Sequence, residues 1–371
     1  MNKSVCHIST VHQNRFDTRI FKRECVSLAE EGYQVTLMIA DGKGNQIVDG
    51  VEIIDLGLQK SSRISRVFRS NQLLKGKLPM NGVGIYHFHD PELIPFFKRF
   101  KKKNPACKVV FDIHENFKDK ISGGRDWLPS SLRGLVKQLF QRLEKSAQIH
   151  FDGFVGAVER IIEGYPKNKS IILRNFPDLK YFNDFQKAAL KKEKGALVYT
   201  GGFTAHRGIE QIVDALDKVK HEIVLHVFGA CEDHILERCK KKSAWQRVKY
   251  HGKVDQAEMF QKVHKSEIAF VLNQSEGGYQ YALPNKLFEY MACTVPVICS
   301  EFPHWKEVVE LNDAGICVDP GNTEKIADAI NCLLSDKQAA IKMGENGRVA
   351  VTEHFNWEKE FRPLLDLYQS L

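Results

Sequence analysis

Three stretches of the chain carry residue types that could do chemistry. The first, Ser275 to Val297, reads SEGGYQYALPNKLFEYMACTVPV. A Gly pair lies in a polar loop, and Pro284 opens a helix carrying Asn285, Lys286 and Glu289. The first amides of a helix lack partners and carry partial positive charge, so an anion suits that place. Proline fits the first turn, where its missing N–H costs nothing. Lys286 adds a full charge, and Glu289, one turn on, could accept two sugar hydroxyls. The chemistry would be recognition of a nucleotide diphosphate. An ordinary βαβ connection whose helix start is left to water reads the same way.

The second stretch is Gly201-Gly202-Phe203-Thr204-Ala205-His206-Arg207-Gly208. Glycines let a ligand approach the backbone, and Arg207 offers a fork of donors for phosphate oxygens. A single Gly-rich strand–loop–helix is a weak signal. The third is a pair of histidine clusters, His87-Phe-His89-Asp90-Pro91 and His114-Glu115-Asn116. Three readings stand side by side. His89, Asp90 and His114 could contact a substrate. Alternatively, H-x-H projects two imidazoles to one face of a strand, and Asp90 could add a carboxylate for a metal. Polar residues can also end strands without any role.

The elements that must position these groups are strands alternating with helices. In the first half the strands are Val5 to Thr10, Tyr33 to Ala40, Val51 to Leu56, Gly84 to His89, Lys108 to Ile113, Phe154 to Val158 and Ser170 to Leu173. A helix from Thr18 to Gly32 bridges the first two, which makes a βαβ unit with a parallel sheet. Both histidine clusters then fall at strand C-termini, where open parallel sheets place their ligands. The first loop, His12 to Asp17, lacks G-x-G-x-x-G, which argues against a dinucleotide cofactor there. After a polar stretch to Gly195 the pattern restarts with Ala196 to Thr200, Ile223 to Phe228, Val248 to Gly252, Ile268 to Leu272, a strand from Val295 and Gly315 to Val318. The fold class is α/β: two doubly wound domains, expected to face a central cleft. The expected boundaries are 1–180, 181–353 and a terminal helical segment, 354–371, crossing back to the first domain.

Length and composition agree. A chain of 371 residues is too long for one core. Nine cysteines without a C-x-x-C pair fit a reducing compartment rather than a disulfide framework or zinc ribbon. MNKSVCHIST has no apolar signal core, and no run approaches the ~18 apolar residues of a spanning helix. A cytoplasmic protein is expected, peripheral on a membrane at most. Between Lys98 and Gln148 stand 13 Lys/Arg against 5 Asp/Glu, an excess equal to the whole chain's +8. That region also holds a basic amphipathic helix, Trp127 to Ala147, whose stripe is Leu132, Leu135, Val136, Leu139, Phe140 and Leu143. An anionic membrane surface would suit it, and so would simple solvation of a helix packed on its own domain. Nucleic acid is not expected, because no recognised motif accompanies the charge.

Taken in order, the motifs resemble the retaining glycosyltransferases of family 4, which have the GT-B double-Rossmann architecture. The residues carrying the resemblance are Asp17-Thr-Arg19-Ile20 with Lys22 and Glu24, HFHDPELIP at 87–95, FDIHENF at 111–117, LRNFPD at 173–178, YTGGFTAHRG at 199–208, ALPNKLFEYMACTVPVI at 282–298 and FNWE at 355–358. The resemblance implies that Glu289 binds the ribose hydroxyls, Arg207 neutralises the diphosphate, and His114 sits by the donor sugar at the reaction centre. It implies catalytic roles for His114, Arg207 and Lys286. Around the donor it implies Gly201, Gly202, Gly229, Val254, Glu276, Tyr281, Ala282, Leu283, Pro284 and Asn285, and on the acceptor side Asp17, Arg19, His89, Asp90 and Glu115. Two departures stand out. Tyr281 occupies the place of the family's first glutamate, seven residues before Glu289, and Gly202 replaces a common arginine. Asn285 and Lys286 are the candidates to replace a phosphate contact, and Glu276, at a different spacing, is one for the sugar.

The activity so implied is transfer of a sugar from a UDP- or GDP-sugar, with retention, to a glycan or lipid-linked acceptor in surface polysaccharide or glycolipid synthesis. No cofactor is expected, the nucleotide-sugar being a substrate, and no metal is expected to be required. The competing readings are a nucleotide-sugar epimerase or phosphorylase, a metal-dependent sugar deacetylase on His87, His89, Asp90 and His114, and a non-catalytic polyanion- or lipid-binding protein.

Overall fold

Strands of a parallel sheet covered on both faces read as near-continuous apolar runs, and those of this chain do. The computed structural model describes residues 3–11, 14–58, 72–79, 82–114, 130–187 and 191–371, without the side chains of 130–133, 184–187 and 276–278. Glu115 and Trp127 therefore lie outside the described residues, as does the side chain of Glu276. The chain divides into two units, Met1–Asn175 with Glu360–Leu371, and Phe176–Lys359.

The first unit holds β1 (Ser4–Ser9), β2 (Gln34–Ile39), β3 (Gln46–Val48), β4 (Val51–Asp55), β5 (Ile85–Phe88), β6 (Lys108–Ile113), β7 (Gly153–Gly156) and β8 (Ser170–Ile172). They form one sheet in the order β3-β4-β2-β1-β5-β6-β7-β8. All neighbours are parallel except β3 and β4. The β3–β4 hairpin is absent from the sequence expectation. Its signal is Asp49-Gly50, both at positive φ (49° and 76°), the pair a two-residue hairpin turn demands. Phe88 stacks between Phe97 and Phe111, with ring centroids 4.6 and 4.7 Å away, so the core lies directly beneath the strand that ends in His89.

The helix after β1 is not regular. Thr18–Cys25 is π-helical and runs into an α-helix, Val26–Glu30. The long basic helix is Ser130–His150. Its expected apolar stripe is only partly buried: Leu143 packs against the core, whereas Leu135 and Leu139 are exposed. The stripe is wider than the surface it has to cover.

The second unit holds β9 (Ala196–Thr200), β10 (Val224–Phe228), β11 (Val248–Gly252), β12 (Ile268–Val271), β13 (Val297–Ser300) and β14 (Gly315–Val318). The order is β11-β10-β9-β12-β13-β14, all parallel. The order reverses at β9 and β12, the place where doubly wound sheets open a crevice beyond their strand ends. The 355–371 stretch is two helices rather than one. Trp357 donates its amide to Pro177 within the second unit (2.9 Å), while Glu360 accepts from the Arg174 amide of the first (2.8 Å). Helix Arg362–Ser370 then packs with the first unit, burying Leu364, Leu365, Leu367 and Tyr368.

Candidate active site

In the second unit the loop after β9 turns through Ala205–Arg207, and helix Ile209–Leu216 follows. Gly208 has φ +71°, and a Cβ there would fall 1.9 Å from the Leu272 carbonyl, so only glycine closes this loop against the end of β12. Gly229, ending β10, approaches so closely that a Cβ would stand 2.2 Å from the Gly201 carbonyl. Gly201 presents no side chain, its amide donates to Phe228 O (2.8 Å), and two cations converge on it. A Cβ on Gly201 would meet Arg207 Nη1 at 3.3 Å and Lys286 Nζ at 3.8 Å.

Lys286 comes from helix Asn285–Ala292, which starts one residue later than the sequence suggests: Pro284 is the residue before it, with ψ 132°. Leu287, Phe288, Tyr290, Met291 and Ala292 are buried and fix the helix. The Tyr290 hydroxyl accepts from the Thr200 amide (2.8 Å) and pairs with its Oγ1 (2.9 Å), pinning the helix to the end of β9. The Lys286 ammonium lies 4.4 Å from the centroid of the Tyr199 ring. Burial, then the charge of Arg207, brings this amine down to about 7, with Glu289 pulling the other way. Among the described residues, Arg207 and Lys286 each hydrogen-bond a carbonyl at 3.4 Å, Gly202 O and Thr200 O respectively. Two cations held together against weak acceptors make a site for an anion. Of the other expected donor residues, Ala282 fixes the loop by accepting from Trp305 Nε1 (2.7 Å), and Val254 and Leu283 pack against the core. Asn285 and Tyr281 are exposed.

In the first unit the strand ends hold a buried polar cluster. The Asp17 carboxylate caps the π-helix, accepting from the amides of Arg19 (2.8 Å) and Ile20 (2.9 Å). Arg19 and Glu24 stand five apart, and the wide π-helical turn brings both to one face. Arg19 forks onto Asp112 (3.0 and 2.9 Å), lies 3.1 Å from Glu24 Oε1, and donates to Leu173 O (2.7 Å) and Asn175 Oδ1 (3.1 Å). His89 and His114 both approach Asp112 Oδ2, at 3.2 and 2.9 Å. Burial alone would raise Asp112, but Arg19 and then His114 hold it well below the usual carboxylate range. Burial, then the Asp112 charge, pushes Glu24 well above that range, so Glu24 carries the proton of the pair.

Of the set read from the sequence, His89 and His114 meet at 3.2 Å, and Asp90 follows His89 in the chain. Its carboxylate turns to the loop after β1, accepting from the amides of Thr10 (2.5 Å) and Val11 (3.1 Å) and from the hydroxyls of Ser9 and Thr10 (both 3.2 Å). Asp112, Glu24, His7 and Tyr368 also stand with His89 and His114. The signal for Asp112 was an acid inside the apolar run Val109-Val-Phe-Asp-Ile113. Glu24, His87, His89 and Asp112 place one ligand atom each within 4.8 Å of one another, a donor set that could hold zinc. Arg19 already lies against both carboxylates, where such an ion's charge would act.

The fold is a GT-B scaffold, and two basic side chains, Arg207 and Lys286, converge at one end of its second unit. Residues 181–350, within the second unit, match the family model for glycosyl transferases, group 1. N-acetyl-alpha-D-glucosaminyl L-malate synthase of Bacillus anthracis is 30% identical over 204 residues, 52% of this chain and 51% of that protein. An uncharacterized glycosyltransferase of Methanocaldococcus jannaschii is 28% identical over 187 residues, 48% of this chain and 46% of that one. The chain thus spans about half the length of the curated relatives it matches. The sucrose-phosphate synthase structure from Thermosynechococcus elongatus superposes with a TM-score of 0.76 at 18% identity, covering 99% of this chain and 98% of that one, which shows the shared fold.

Proposed function

We propose that the protein transfers a sugar from a nucleotide-sugar to a glycan or lipid-linked acceptor, with retention at the anomeric carbon. The observation that supports it is the convergence of Arg207 and Lys286 over Gly201. Two cations fixed in advance stabilise the charge that develops on a departing diphosphate, and they do so without reorganising. They supply the charge a divalent ion would otherwise bring, so transfer is expected to survive chelator. Glu289, one turn after Lys286, is assigned the ribose hydroxyls. His114 is assigned the reaction centre. In a retaining transfer the departing phosphate oxygen takes the acceptor proton as the hydroxyl attacks the same face.

Calorimetry with UDP and GDP tests the donor site. Binding of one of them is expected, with Glu289→Ala weakening it by about 1.5–3 kcal/mol, the cost of lost hydrogen bonds to a charged group. Unchanged binding by that variant would remove the assignment. The anomeric configuration of the product, read by NMR, decides retention against inversion. Stoichiometric zinc with loss of activity in chelator would favour the deacetylase reading instead.

The acceptor is proposed to lie at an anionic membrane surface. No helix of the described residues is long and apolar enough to cross a membrane. Leu135, Leu139 and Ile149 are exposed on the basic helix, and Lys102 and Lys103 are exposed nearby. Lys101 is not part of such a surface: its ammonium holds Asp152 (2.9 Å) and Cys107 O (2.7 Å). Flotation with anionic vesicles, compared with Lys102→Ser/Lys103→Ser, tests the contact.

A further inference from the structure

Two cysteines stand side by side on the last two strands of the second sheet. Cys299 on β13 and Cys317 on β14 are register partners in a parallel pair, and their Sγ atoms are 3.4 Å apart. Both are free thiols; Cys299 is buried and Cys317 is half-buried. The strands lie close because β14 opens on Gly315, where a Cβ would fall 2.0 Å from the Val297 carbonyl. Neighbouring strands run about 4.7–4.9 Å apart, inside the Cα separation of about 4.4–6.8 Å that a disulfide spans. Bonding needs the sulfurs to close to about 2.05 Å, a movement of about 1 Å or more. β14 is the edge strand, paired on one side only, so it is the partner that can move.

The surroundings of the pair give that movement a consequence. The stretch from Asn273 to Pro284 joins β12 to the helix that bears Lys286, and it is held from the segments that follow the two cysteines. Ser300, next to Cys299, donates from Oγ to Asn273 O (2.7 Å). Gln274 donates from Nε2 to Pro320 O (3.1 Å), just past the end of β14. Trp305, on the helix after β13, donates from Nε1 to Ala282 O (2.7 Å). A shift of β14 against β13 therefore pulls one anchor of this loop away from the others.

We propose that Cys299 and Cys317 are a thiol pair that a low-molecular-weight disulfide converts reversibly to a protein disulfide, and that closing it weakens anion binding at Arg207 and Lys286. Cys317 is the sulfur a reagent in solution reaches. Its thiolate attacks the reagent; a mixed disulfide forms, the reagent's S–S bond breaks, and one reagent thiol leaves with the proton Cys317 gave up. The Cys299 sulfur then attacks Cys317, and its proton goes to the second departing reagent sulfur. Two protein thiols are oxidised, and the reagent is reduced to two thiols. Burial, then the hydrogen bond with Cys317, holds the Cys299 thiol well above its ordinary value, so it keeps its proton until that second step. A bridge between paired strands is strained, which makes it easy to reduce. The effect on binding rests on the nucleotide reading of the Arg207 and Lys286 site; the thiol chemistry does not.

The protein treated with oxidised glutathione, alkylated, digested and mapped by mass spectrometry tests the pair without turnover. A peptide pair linked through Cys299 and Cys317, lost again in dithiothreitol, is expected. Cys299→Ala should stop at a glutathione adduct on Cys317, and Cys317→Ala should leave Cys299 unmodified. Absence of the linked peptide, or an adduct on Cys299 in the Cys317→Ala protein, would overturn the proposal. In calorimetry the oxidised protein should bind UDP or GDP, whichever the reduced protein takes, about fivefold or more weakly. Cys317→Ala should keep its affinity through the same treatment. Equal affinity of the oxidised and reduced proteins would overturn the effect on binding. A linked peptide in a protein that binds neither nucleotide would leave the thiol pair standing and remove the nucleotide reading.

Discussion

The strand ends of the two units use charge in opposite ways. At β1, β5 and β6 of the first unit, Arg19, Glu24, Asp112 and the histidines are buried and bonded mostly to one another. At β9 and β12 of the second unit, Arg207 and Lys286 are set side by side with weak carbonyl partners. The first arrangement satisfies its charges when the chain folds. The second leaves like charges facing each other. One position in a repeated fold therefore holds a shape in one unit and, in the proposed function, a ligand in the other.

The largest effect should come from cutting the self-satisfied cluster. Arg19→Ala strands the Asp112 charge in the interior and should cost about 3–5 kcal/mol of stability in urea unfolding. Lys286→Met should do the reverse, weakening UDP or GDP binding by about 2–3 kcal/mol while the melting temperature holds or rises. If Lys286→Met destabilises as much as Arg19→Ala, the contrast is broken. The pH dependence should sharpen it. Lys286 falls from an ordinary 10.5 to about 7, so the unfolded chain binds more protons in that window and stability rises with pH there. Nucleotide affinity runs the other way, falling by up to about tenfold per pH unit above ~7, with proton uptake seen by calorimetry in two buffers. The smallest effect is Glu24→Gln. Because Glu24 is held above its ordinary 4.5, the unfolded chain loses that proton first, and the wild type loses stability as pH rises past 4.5. The amide should remove that slope and cost about 1 kcal/mol or less near neutral pH.

The convergence of Arg207 and Lys286 was legible in the sequence because each is placed locally. Gly201 to Gly208 and Pro284 to Glu289 are short motifs, each placed by one strand and one helix. The alternation of apolar runs and helices gave the doubly wound pattern for the same reason. The first-unit cluster was only half legible. His89 and His114 could be read at strand ends, but their partner Asp112 is hidden in a strand that otherwise reads as core. Arg19 reaches it across 93 residues, and Tyr368 reaches His87 across 281. Arg19 and Glu24 share a face only because the helix is π-wound, which no 3.6-residue periodicity reveals. That Asp90 also holds the loop after β1 could not be read beside H-x-H, because its partners lie about 80 residues away.

The return of the last helix to the first unit bears on synthesis. All of residues 176–359 lie between the body of that unit and the segment bearing Tyr368. On the ribosome, the second unit can close its sheet as a contiguous stretch while the first still waits for a hydroxyl to join His7 and His87. The order in which the two halves mature is then the reverse of the order in which they begin.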